Sequence, residues 1–137
     1  MRVGTYNVLG LTGYPRDEGR KQIDRPGSDA NVSHFTSVLS ELDCDVLGLE
    51  EGVAVPHIQK IARGLNRHLA TFPSPIAWPG HILSRFPVME SRVFSHTVPS
   101  EEVPPFSRTA GAALLEIDAQ TRLWFVVLHL HPGIVEL

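Results

Sequence analysis

The fold turns on Asp45-Val46-Leu47-Gly48-Leu49-Glu50-Glu51-Gly52. The run Val46–Leu49 between the acids is too short for a helix, and it is apolar on both alternating sets of positions. Such a run reads as a strand covered on both faces. Upstream of it, Val32, Phe35, Val38, Leu39 and Leu42 recur at helical spacing behind Ser28, Asp29 and Asn31, which offer capping side chains. Further upstream, residues 2–8 alternate as a strand does, with Val3, Thr5 and Asn7 on one side and Gly4, Tyr6 and Val8 on the other. Strand, helix, strand predicts a right-handed crossover whose two parallel strands bring their carboxyl ends to one edge of a sheet.

Downstream, Pro56 suits a first helical turn, and Ile58, Ile61, Ala62 and Leu65 continue at the same period. After Asn66, runs at 68–72, 81–85, 91–98, 110–117 and 123–131 read as strands, and the short turn at 118–121 predicts a hairpin. Residues 10–30, rich in Gly, Pro, Asp and Arg, read as an exposed loop. The class is α+β, and 137 residues suffice for one domain. A composition of 42% hydrophobic and 20% charged residues excludes disorder as the main state. Cys44 is the only cysteine, which excludes an intrachain disulfide and a thiolate zinc cluster. Twelve basic and 15 acidic residues give a net charge of −3, so no global basic field attracts a polyanion. No apolar run approaches the ~20 residues of a membrane helix, and residues 1–8 lack the apolar stretch of a signal peptide. The expectation is a cytoplasmic protein without a membrane span.

Asn7 and the Glu50-Glu51 pair fall at the shared carboxyl edge. An amide oxygen beside a carboxylate is a hard-oxygen pair suited to Mg²⁺. Strand alternation lets one of Glu50 and Glu51 point into such a site, and spacing does not choose between them. A different chemistry starts from His129-x-His131: imidazoles two apart on a strand share a face and chelate Zn²⁺, with His81 or His96 as a third ligand.

Five segments in order carry a resemblance: Thr5-Tyr6-Asn7-Val8; Asp45 to Glu51; Ile82-Leu83-Ser84-Arg85-Phe86-Pro87-Val88; Arg108 opening a strand; and Val126-Val127-Leu128-His129-Leu130. Together they resemble the ordered motifs of the endonuclease/exonuclease/phosphatase superfamily. The resemblance implies a Mg²⁺-dependent phosphoester hydrolase, Mn²⁺ substituting, in a four-layer αββα sandwich. This chain would be its amino-terminal half, one β-sheet with flanking helices. It further implies that Asn7 orients metal or nucleophile, that Glu51 is the metal carboxylate, and that His129 lies against the scissile phosphate. Glu50 stands where the family usually has glutamine. Arg108 falls near the phosphate path, while Ser84 and Arg85 serve structure.

The family pattern continues with Gly-Asp-x-Asn and Asp-His segments that supply the groups activating water, and neither occurs here. The expectation is therefore the amino-terminal part of a single domain, inactive alone, with the inner face of residues 123–130 bare and disposed to self-association. Trp124 is expected in the core, and Trp78 is a candidate substrate contact. The expected partner is a phosphoester: a small phosphodiester, a phospholipid head group or nucleic acid. The alternative outside the enzyme class is a non-catalytic short form that binds phosphate or a partner protein.

Overall fold

The computed structural model describes residues 1–12, 25–75, 77–94 and 107–130. Strands β1 (Val3–Asn7) and β2 (Val46–Glu50) are parallel, in register from Val3 opposite Val46 to Asn7 opposite Glu50. Helix α1 (Asp29–Leu42) joins them, with the Ser28 hydroxyl accepting the Asn31 N–H at 3.2 Å as its cap. Asp43, in left-handed backbone, ends it. Helix α2 (Val55–Gly64) opens on Pro56, as the sequence predicts. It leads into β3 (His68–Phe72) and β4 (Gly80–Ser84), which pair antiparallel, and β4 also pairs with β2. The first sheet runs β1-β2-β4-β3.

Strands β5 (Val88–Val93), β6 (Ser107–Glu116) and β7 (Arg122–Leu130) form a second, antiparallel sheet in that order. The hairpin expected around 118–121 joins β6 to β7. The strand expected at 91–98 begins earlier, at Val88, and its residues 95–98 lie outside the described residues, as do 13–24 of the expected loop. Among the described residues no helix is long and apolar enough to cross a membrane.

The α+β sandwich is as expected, but the single sheet becomes two. The cause is visible in β2 and β4, which are apolar on both faces and need two covers. On one face Leu47, Leu49 and Leu83 meet Phe35 and Leu39 of α1 and Ile58, Ile61 and Ala62 of α2. On the other, Val46, Ala70, Phe72 and Ile82 meet Ala113, Leu115 and Val127 of the second sheet, with Phe125 at the margin. The sheets interlock closely: a Cβ on Gly111 of β6 would stand 2.1 Å from the Phe72 ring, and one on Gly80 of β4 would stand 2.4 Å from the Thr109 side chain.

The bare face of β7 also differs from expectation. Phe125, Val127 and His129 turn toward the first sheet, so the inner face is covered. The outer face carries Trp124, Val126, Leu128 and Leu130, each between 40% and 60% exposed. Trp124 is thus a surface residue, with the Arg92 guanidinium stacked 4.8 Å from its ring centroid.

At the amino ends of β1 and β2, charges pair with one another. Asp45 accepts the Arg2 backbone N–H at 2.6 Å and Arg85 Nη1 at 2.7 Å, and Arg85 also bonds Asp43. The Arg2 N–H, ahead of Arg85, holds the Asp45 carboxyl below the usual carboxylate range. Ser84 is buried and its hydroxyl accepts the Phe86 N–H at 2.9 Å, a structural role.

Candidate functional site

Past Asn7 the backbone reverses hand. Leu9, Gly10 and Leu11 have φ of 43°, 61° and 58°, three consecutive left-handed residues of which two carry a Cβ. Each non-glycine residue there costs about 1–2 kcal/mol, so the turn needs outside support. Leu11 supplies some by filling the helix-side core. Asn31, wholly buried, donates from Nδ2 to the Leu11 carbonyl at 2.8 Å and accepts the Gly27 N–H at 3.2 Å. Asn7 Oδ1 accepts the Leu9 N–H at 3.0 Å, and the Gly10 N–H reaches the Glu51 carbonyl at 2.7 Å. Asn31 reads as a capping residue in the sequence, and nothing there signals its role in holding this turn.

Glu51 is the second reversal, with φ of 50°. Leu47 and Leu49 face the helices, and regular alternation would send residue 51 the same way. Left-handed backbone turns its side chain instead toward the second sheet. There Arg108 Nη1 donates to Glu51 Oε1 at 2.7 Å, and His129 Nε2 lies 3.7 Å from the same oxygen. The second distance is beyond a hydrogen bond but short enough for attraction when the imidazole is protonated. Glu51 is only 8% exposed.

Arg108 reaches this point because the β6–β7 register shifts between Ser107 and Thr109. A bulge of this kind re-aims a side chain. Thr109 is buried, and its hydroxyl donates to the Trp78 carbonyl at 2.7 Å. His129 needs no irregularity, since it shares the inward positions of β7 with Phe125 and Val127.

Two of the four predicted site residues, Arg108 and His129, thus meet Glu51 directly. Asn7 stands at the neighbouring strand end, opposite Glu50 in the ladder. Glu50 is tied to the Thr5 hydroxyl at 2.5 Å rather than to the cluster. Among the described residues, Arg108 Nε and His129 Nδ1 are buried without a hydrogen-bond partner. Buried polar atoms are normally satisfied, so each of these two residues retains unused bonding capacity. Trp78 packs on the left-handed turn: a Cβ on Gly10 would meet its ring at 3.2 Å.

One carboxylate and one amide oxygen at adjoining strand ends fit Mg²⁺, which keeps several waters and takes few protein ligands. Zinc asks for three or four ligands drawn from Cys sulfur, His nitrogen and Asp or Glu oxygen. Among the described residues no group of three or more His, Cys, Asp or Glu could hold a metal. His81 is wholly buried with both ring nitrogens engaged, so it supplies no third ligand. His96 and His131 lie outside the described residues.

By sequence, neither protein-family models nor curated proteins match this chain. Solved structures do. It is similar to truncated TDP2 from Caenorhabditis elegans, with TM-score 0.61 and 16% identity over 95% of this chain and 46% of that one. An endonuclease/exonuclease/phosphatase from Beutenbergia cavernae gives TM-score 0.65 and 16% identity over 96% of this chain and 39% of that one. TDP2 from D. rerio, complexed with single strand DNA product, gives 0.60 and 16% over 96% of this chain and 46% of that one. The chain spans less than half the length of each. At such identity the likeness is one of fold.

Proposed function

From the endonuclease/exonuclease/phosphatase fold that this chain has, we propose that residues 1–137 are the amino-terminal part of one such domain and carry half the site of a divalent-metal-dependent phosphoester hydrolase. The observation that supports this most is the meeting of Glu51, Arg108 and His129 across the two sheets, with Arg108 Nε and His129 Nδ1 buried and without a hydrogen-bond partner among the described residues. A fold hosts many functions, so the site and not the fold carries the reading.

In this reading Glu51 and Asn7 hold Mg²⁺ or Mn²⁺. The bound ion supplies Lewis-acid polarisation of the phosphoryl oxygen. Arg108, bonded to Glu51 through Nη1, would offer the rest of its guanidinium fork to phosphate oxygens. His129 donates a hydrogen bond to the oxyanion that develops on the phosphate. The Gly-Asp-x-Asn and Asp-His segments, to which this reading assigns the activation of water, do not occur in the 137 residues. The chain by itself is therefore expected to bind a phosphodiester without turning it over.

The net charge of −3 favours a small phosphodiester or a phospholipid head group. The DNA product in the D. rerio structure supports nucleic acid as the third class. The apolar outer face of β7 is where this chain, taken alone, would self-associate.

The test is a titration of the purified chain with Mn²⁺ followed by electron paramagnetic resonance, repeated with bis(p-nitrophenyl) phosphate. Saturable Mn²⁺ uptake that Glu51→Gln removes, and diester binding that needs the ion, are expected. Uptake unchanged in Glu51→Gln overturns the reading. Zinc retained through dialysis favours His129-x-His131.

A further inference from the structure

Strand β4 carries a wholly buried histidine that the site as described does not use. His81 lies between Leu49 of β2 and Thr71 of β3 in the ladder. Its Nε2 accepts the Val53 backbone N–H at 3.2 Å, and its Nδ1 lies 3.1 Å from the Thr71 hydroxyl. A neutral imidazole has one donor and one acceptor nitrogen. Because Nε2 accepts, Nδ1 carries the proton and donates to Thr71. The ring is thus fixed in tautomer as well as in place.

Gly52 lies directly on the ring: a Cβ there would stand 2.3 Å from His81 Cδ2 and Nε2. The Gly52 N–H donates to the Pro79 carbonyl at 2.8 Å, and the Glu51 carbonyl accepts from Gly10 at 2.7 Å. The peptides around Glu51 are therefore held at three successive points, two by backbone and one by His81. Glu51 occupies left-handed backbone that a residue with a Cβ adopts only under constraint. An apolar side chain at 81 would fill the same space but leave the buried Val53 N–H unpaired.

We propose that His81 is a positioning residue: its Nε2 holds the Glu51-Gly52-Val53 turn in the conformation that aims the Glu51 carboxylate at Arg108 and His129, and so sets the affinity of the site for a divalent cation. The affinity half of this rests on the reading of Glu51 as a metal carboxylate. The orienting half rests on geometry alone.

The experiment compares His81→Phe, which keeps bulk without an acceptor, with His81→Gln, which restores an acceptor at similar reach. Thr71→Val is the third variant, and it frees the ring proton to move to Nε2, where it opposes the Val53 N–H. Hydrogen exchange at individual amides and Mn²⁺ affinity are both measured on the full chain. In His81→Phe, exchange at Gly52 and Val53 should rise and Mn²⁺ affinity fall by roughly tenfold or more, while β2–β4 ladder amides stay protected. His81→Gln should recover both to within about threefold of the native chain, which a role in bulk packing alone does not predict. Thr71→Val should give a smaller loss in the same two readouts, and it decides the matter if His81→Phe does not fold. Native exchange and affinity in His81→Phe or Thr71→Val overturn the proposal. If the native chain takes up no Mn²⁺, the metal reading falls and the affinity half with it, while exchange at Val53 still decides the orienting half.

Discussion

The two edges of the first sheet treat charge in opposite ways. At the amino ends of β1 and β2, Arg2, Asp43, Asp45 and Arg85 neutralise one another near the surface, and the left-handed backbone at Asp43 serves to end α1. At the carboxyl ends, Glu51 is drawn under the second sheet by left-handed backbone, Arg108 is brought by a bulge, and two buried nitrogen atoms have no hydrogen-bond partner among the described residues. Charges that satisfy each other in water need little precision, and such pairs add little to stability. A buried cluster with spare bonding capacity needs support from outside it, and Asn31 and His81 give that support.

Acid should separate the two edges most. Burial pushes the His81 imidazole down to about 4 from the ordinary 6.5. Between those values the unfolded chain takes up a proton that the folded chain refuses, so stability present above pH 6.5 is lost as pH falls toward 4. The interval corresponds to about 3 kcal/mol. Chemical denaturation at pH 7 and pH 4.5 should show most of it, and His81→Gln should flatten the dependence. Asp45 is shifted below its ordinary value, so its contribution is present above the usual carboxylate range and goes only as pH falls through the lowered value. The paired edge should outlast the other.

Glu51→Gln should weaken Mn²⁺ binding by roughly 100-fold, at the upper end of what loss of a group around a metal costs, and Glu50→Gln by under about threefold. The reverse ranking in a titration would show that the Thr5-bound carboxylate is the ligand. Arg108→Ala should cost about 1–3 kcal/mol in urea unfolding, because it takes from the buried Glu51 carboxylate its hydrogen-bond donor. Arg85→Ala, at the solvent-facing edge, should cost clearly less, and equal losses would erase the contrast. Smallest of all, Val126→Lys on the outer face of β7 should reduce self-association in light scattering while leaving Mn²⁺ affinity unchanged.

Much of the fold was legible. The doubly apolar Val46–Leu49, the helical spacing before it and the turn at 118–121 predicted the crossover and the hairpin that are found. The second sheet is not legible there, because pattern shows that two covers are needed without showing what supplies them. Trp124 misled for a related reason: residues 123–128 are apolar at consecutive positions, so alternation cannot say which set turns inward. The packing of Phe125 and Val127 over Gly48 settles it. At the site, alternation could not choose between Glu50 and Glu51, because it presumes continuous extended backbone. A single left-handed residue at Glu51 and a single extra residue at Arg108 each reverse the face, and neither residue type announces that. Gly52 next to Glu51 was the one available cue to an irregular turn. His81 reads as a possible zinc ligand, since sequence shows a histidine but not that its ring nitrogens are engaged.

The notch at Gly111 reaches further than the core it helps to close. Phe72 sits in that notch, and two residues away along β6 Thr109 sits over Gly80, which is Phe72's own partner across the first sheet. These paired interlocks act as an index mark. Strand β6 has one axial setting against β3 and β4, because sliding it by one two-residue repeat would drive Thr109 or Ala113, which share the inward face with Gly111, into the ring. Arg108 adjoins Thr109, so the same mark dictates how far its guanidinium reaches past Glu51. Core size and site geometry are thereby coupled: a relative with a side chain at position 111 should carry a smaller residue at 72, or else lose the alignment of its arginine.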